Sequence, residues 1–72
     1  MVRELWISGV MHPWYYNEDD KKAYKNKGAA FHEYIGEERE VLEHNGTYYI
    51  LCGNKYKKAT VGDETIFTSR RN

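Results

Sequence analysis

The histidine and cysteine side chains, the first candidates for metal ligands or for a nucleophile and its base, are four: His12, His32, His44 and Cys52. None of them forms the short paired spacing by which one loop or helix face offers two ligands to one ion. Acyl transfer or hydrolysis needs a nucleophile within hydrogen-bond reach of a base. Cys52 with a distant histidine is the one such pair, and Cys52 ends the apolar run Tyr48 to Cys52, where a lone thiol serves as a small core residue. His32-Glu33 is a fragment of the zinc deaminase signature, but its spacing is wrong and no cysteine pair follows. The carboxylates from Glu37 to Glu43 contain potential acid and base partners, although an acidic run beside a turn is ordinarily solvated. Gly53 and Gly62 are isolated and build no phosphate loop. The expectation is a non-enzymatic protein without metal or cofactor.

Recognition has better raw material. Seven Tyr, two Trp and two Phe are many rings for 72 residues, and Tyr and Trp are the usual anchors of contact surfaces. Trp14-Tyr15-Tyr16 places three rings in consecutive positions, which an extended chain cannot send to one side. This run is the expected contact patch, with a plug closing one end of the core as the alternative. Lys55, Tyr56, Lys57 and Lys58, extended by Arg70 and Arg71, form a basic segment with an interleaved ring, the composition of a nucleic-acid contact. Eleven basic residues nevertheless balance eleven acidic ones, so no global field drives the chain toward polyanions. Charge is segregated, with Glu33, Glu37, Glu38, Glu40 and Glu43 on one stretch and the basic segment on another.

The elements that must position these residues are clearest from Arg39 to Thr60. Asn45-Gly46 and Gly53-Asn54 are two-residue hairpin turns calling for positive φ. They pair His44 with Thr47, Leu42 with Tyr49, Val41 with Ile50, Cys52 with Lys55, Leu51 with Tyr56 and Tyr48 with Ala59. One face then carries Val41, Tyr48, Ile50, Cys52, Ala59 and Val61, and is the expected core. The other carries Leu42, Tyr49, Leu51 and Tyr56 among Glu40, His44 and Lys58, and is too apolar to be left bare, so the N-terminal strand, a helix or a partner should cover it. The same register sends Lys55 and Lys57 to one side and Tyr56 and Lys58 to the other, which splits the basic segment.

Val2 to Met11 alternates as a strand ended by His12-Pro13, with apolar residues on both faces, as at a barrel seam. Asn17 can cap a helix whose first turn holds Glu18, Asp19 and Asp20. The spacing of Tyr24, Gly28, Phe31 and Ile35 extends it, giving an expected helix around 17–35 that breaks or ends near Gly28 or Gly36. Gly62-Asp63-Glu64 reads as a third turn before a last strand from Thr65 to Thr68, with a frayed tail at 69–72.

Five candidate strands, with a long charged excursion after the first and tight hairpins among the rest, resemble a small SH3-like barrel. Adjacent tyrosines, then acids, then Lys27-Gly28, resemble the entry of such domains into their first long loop. The likeness reaches the fold alone, because Tyr48-Tyr49 stands where a tryptophan pair would be and no Pro-x-x-Tyr element follows. The expected class is mainly β: a single small domain, 1–72, built as an antiparallel meander, SH3-like barrel or five-stranded sheet with a short helical insertion. The competing architecture is α+β, one helix packed on an antiparallel sheet. One cysteine, no signal-like N-terminal run and no long apolar stretch fit a soluble cytoplasmic protein.

Three functions compete. The first is a protein-binding module or homo-oligomer contacting through Trp14, Tyr15, Tyr16, Tyr49 and Tyr56, in the manner of a small phage or mobile-element regulator or inhibitor of a larger host protein. The second is a nucleic-acid-binding β domain using Lys55, Lys57, Lys58, Arg70 and Arg71. The third is a protein that sequesters a nucleotide or other small molecule between aromatic rings.

Overall fold

The computed structural model describes the backbone of residues 1–67 and the side chains of residues 1–62. Six strands, β1 (Val2–Ile7), β2 (Trp14–Asn17), β3 (Lys22–Tyr24), β4 (Glu38–His44), β5 (Thr47–Cys52) and β6 (Lys55–Phe67), close into an antiparallel barrel in chain order, with a four-residue helix α1 (Lys27–Ala30) between β3 and β4. The chain is thus mainly β, a small barrel of the SH3-like kind.

The β4–β5 and β5–β6 hairpins have the register that their turns dictate, from His44 opposite Thr47 to Val41 opposite Ile50, and from Cys52 opposite Lys55 to Tyr48 opposite Ala59. The two turns differ in kind. Asn45 and Gly46 both have positive φ, 53° and 80°, as a type I′ turn needs, whereas in the second turn positive φ is confined to Gly53, at 68°. Leu5, Ile7, Trp14, Tyr16, Ala23, Ile50 and Ala59 fill the barrel, with Val10, Val41, Tyr48 and Cys52 packed around them. Val61, expected on this face, lies opposite the buried Leu5 but is itself 36% exposed.

Three expectations are corrected. The N-terminal strand ends at Ile7, and residues 14–17 form a separate strand that pairs Leu5 with Trp14 and Arg3 with Tyr16. The expected turn at Gly62 to Glu64 is instead an irregularity inside one long β6, whose partner register on β1 shifts between Arg3↔Ile66 and Leu5↔Val61. Such a bulge takes up extra residues and bends the strand, which is how a short sheet closes on itself. The expected strand Thr65 to Thr68 is the far part of β6 as far as Phe67, and the expected frayed tail, 69–72, lies outside the described residues.

The helix around 17–35 is the largest correction, since only Lys27–Ala30 is helical. Asn17 does what a helix cap does, its Oδ1 accepting the N–H groups of Asp19 at 2.9 Å and Asp20 at 3.3 Å. The same Asx chemistry also opens a turn. Lys21 enters the left-handed region at φ 59° and the chain reverses, so that Lys22–Tyr24 pairs back onto Tyr15–Asn17. With only Ala23 and Tyr24 apolar, this segment has no stripe to hold a helix, while as a strand Ala23 reaches the barrel core.

Candidate functional site

Residues 26–36 leave the barrel between β3 and β4, their base closed by the Lys25 N–H donating to the Glu37 carbonyl at 3.0 Å. Connections between successive antiparallel strands alternate between barrel ends. This excursion therefore starts at the end shared with the β1–β2 loop and the β5–β6 turn, and folds back along the outside of β2 and β3. Asn17 fixes that path: buried, it donates from Nδ2 to the Ala30 carbonyl at 2.8 Å. Ala29 and Ala30 then cover Val2 and Tyr24, with Tyr15 and Phe31 at the border, as a second small core outside the barrel.

α1 closes in a Schellman arrangement, the Glu33 N–H donating to Gly28 O at 2.9 Å and the His32 N–H to Ala29 O at 3.0 Å. Its left-handed position, usually glycine, is His32 at φ 64°. That backbone costs a β-carbon-bearing residue about 1 kcal/mol, and in return places the imidazole against Asp20, Nε2 to Oδ2 at 2.5 Å. Tyr24 donates its hydroxyl to the same oxygen at 2.7 Å. Partial burial works to raise the Asp20 carboxyl, but the hydrogen bonds from His32 and Tyr24 outweigh it and hold it below its ordinary range. The Tyr24 hydroxyl is pushed far up, by burial first and by its bond to Asp20 second. A phenol so protected is a poor nucleophile at neutral pH, so the cluster is built for positioning. A groove of about 260 Å³ opens beside it, lined by Tyr24, Ala29, His32, Tyr34, Ile35, Gly36 and Glu38.

The opposite outer face, on β4, β5 and β6, has no such roof among the described residues. Leu42 sits opposite Tyr49, Tyr49 opposite Lys58, and Leu51 opposite Tyr56. Leu42 is 47% and Tyr56 45% exposed, with Tyr49 and Leu51 half-buried between them. Neither the N-terminal strand nor the helix lies over it. Trp6, on the outer side of β1 beside Thr60, continues this surface at 36% exposure. Its Nε1 donates to Glu4 Oε1 at 3.1 Å across Gly62, where a β-carbon would stand 3.1 Å from that nitrogen.

The structure separates the residues expected to contact a protein partner. Tyr49 and Tyr56 share the bare face. Trp14 and Tyr16, expected in an exposed patch, are interior, 6% and 3% exposed. The alternation of β2 turns both inward, Tyr16 against Tyr48 with ring centroids 5.2 Å apart and Trp14 beneath the Arg39 guanidinium at 5.0 Å. Arg39 also donates to Leu51 O at 3.2 Å and to Glu37 at 3.0 Å, closing that end of the barrel. Tyr15 points outward, half-buried at the edge of the roof. Lys55 and Lys57 are exposed on the Ile50 side of the sheet and Lys58 on the Tyr49 side, while Arg70 and Arg71 lie outside the described residues. His44 and Cys52 occupy opposite faces, and among the described residues no three His, Cys, Asp or Glu side chains converge to hold a metal ion. No described helix is long and apolar enough to cross a membrane.

Asp20, His32 and Tyr34 are the site residues that sequence reasoning misses. Their convergence depends on the fold-back of 26–36, and no spacing in the chain announces it. Comparison with family models, curated proteins and solved structures gives no match.

Proposed function

We propose that this chain is a small non-catalytic protein-binding module, a regulator or inhibitor of a larger protein, whose contact surface is the bare outer face of β4, β5 and β6. The observation that carries this reading is that Leu42, Tyr49, Leu51 and Tyr56 lie on directly paired positions of three adjacent strands, with two of them nearly half exposed. A contiguous apolar and aromatic patch rimmed by charge is the usual anatomy of a protein contact. Lys58 beside Tyr49 favours a partner that brings a carboxylate to that point. A nucleic-acid role has weaker support, because the lysines that would track a phosphate backbone are divided between two sides of the sheet.

The test pairs Leu42→Glu and Tyr56→Glu, both on exposed positions, with Glu33→Lys on the roofed side. Affinity capture should be lost by the first two and kept by the third, with circular dichroism unchanged in all. Light scattering that shows a dimer dispersed by Leu42→Glu would make the partner a second copy of this chain. Capture unaffected by either glutamate overturns the assignment.

A further inference from the structure

We infer that the groove between the 26–36 excursion and the start of β4 receives an alkylated ammonium group, held by ring faces and carboxylate charge. This stands independently of the outer-face contact, on the other side of the barrel. Three rings, those of Tyr24, His32 and Tyr34, line it together with the Glu38 carboxylate. Two of the rings are fixed by one carboxylate and the third by a close approach to backbone. Tyr24 is buried and tied through its hydroxyl to Asp20. His32 is held by the same carboxylate, with its ring edge-on to Tyr24 at 6.4 Å. Tyr34, although 54% exposed, sets the hydroxyl end of its ring against Gly28, where a β-carbon would stand 2.5 Å from Cε2. An exposed tyrosine seated on a glycine that leaves no room for a methyl group is a placed wall, not a loose side chain.

The chemistry of the occupant follows from what these walls still offer. The Tyr24 hydroxyl, Asp20 Oδ2 and His32 Nε2 are spent on one another. Glu38 is paired on one oxygen with Lys22, at 3.3 Å. What remains is the three aromatic rings, apolar Ala29 with the fully exposed Ile35 at the mouth, and the negative charge of Glu38. A primary ammonium would have to shed tightly held water without finding enough acceptors, and a guanidinium, though less hydrated, would leave most of its five donors unpaired. A methylated ammonium is weakly hydrated and needs only π faces and nearby negative charge.

The experiment titrates the intact chain with three probes and follows the aromatic side-chain NMR signals of Tyr24 and Tyr34. The probes are a short peptide carrying trimethyllysine, the same peptide carrying the uncharged tert-butyl isostere, and tetramethylammonium chloride. The expected result is saturable shifts at both tyrosines with the cationic peptide, at least about tenfold weaker binding of the neutral isostere, and a comparable loss in Tyr34→Leu and Glu38→Gln; tenfold corresponds to about 1.4 kcal/mol. Both substitutions fall on exposed positions, and Gly28→Ala supplies a further check by displacing the Tyr34 ring. Saturation by tetramethylammonium as tight as by the peptide assigns a small free cation as the source, and preference for the peptide assigns a modified protein chain. Equal binding of the charged and neutral peptides, or no saturable shift with either cation, overturns the inference.

Discussion

Over β2 and β3 the outer face of the barrel is roofed by residues 26–36, and over β4, β5 and β6 the corresponding face lies open among the described residues. Both faces present tyrosines on adjacent strands: Tyr15 opposite Tyr24 under the roof, and Tyr49 diagonal to Tyr56 in the open. On the first, Ala29 and Ala30 are small enough to bring the excursion's backbone close, and Asn17 ties it down with a hydrogen bond to Ala30. On the second, the β4–β5 and β5–β6 connections are two-residue turns, too short to supply a cover. The same residue type therefore supports folding on one side of the barrel and is left partly exposed on the other. What decides is the length and composition of the connection, since a lone ring buries itself only where the chain brings something to it.

The strongest way to break this contrast is a matched pair of truncations. Tyr24→Ala should cost about 3–5 kcal/mol in urea denaturation, as for a buried aromatic, leaving a domain of this size close to unfolded. Tyr56→Ala should stay within about 0.5 kcal/mol, as for an exposed site. Similar losses at the two positions would erase the distinction. Trp14→Ala belongs with Tyr24→Ala and should destabilise the barrel, because its ring lies inside the fold.

Next in size is the tie itself. Asn17→Ala removes a buried donor from Ala30 O and the acceptor for two turn amides, and should cost about 2–3 kcal/mol. Hydrogen exchange should then accelerate first in residues 26–33, while β4 and β5 keep their protection. Uniform acceleration would mean that the roof and the barrel open as one unit.

The smallest expected effect is a pH dependence confined to the roofed side. The fold depresses the Asp20 pKa, so its stabilising contribution is complete above the unfolded carboxylate value of about 3.9 and is lost as pH falls through the lower folded value. Denaturation midpoints below about pH 4 should therefore fall less steeply in Asp20→Asn than in the parent chain. An unchanged slope would show that the cluster with His32 and Tyr24 contributes nothing to acid sensitivity.

The difference between the two faces also explains what the sequence discloses. The open face is legible because Asn45-Gly46 and Gly53-Asn54 fix a register locally, and every pairing on that face follows from counting outward. The roofed face is not. Lys22–Tyr24 is too short to display a period, and Asn17 followed by acids is the opening of a helix and of an Asx turn alike. The inward alternation of Trp14 and Tyr16 is present in the sequence, but it acquires an inside and an outside only once β1 and β3 pair with it. Residues 62–65 combine the marks of a turn with those of a bulge, and closure of the barrel decides between them. The contact of Asp20 with His32, and the groove that His32 and Tyr34 line beside it, depend on a fold-back over twelve residues and have no local signal at all.

The central claim, that the open face of β4, β5 and β6 is where this chain meets its partner, is tested most directly by photo-crosslinking in cells. A photoreactive amino acid is placed at position 42, 56 or 33 in otherwise identical chains. The account predicts one discrete adduct of the same mass from positions 42 and 56, abolished from position 42 by Tyr56→Glu, and no such adduct from position 33. An adduct from position 33 with none from 42 or 56 would contradict it.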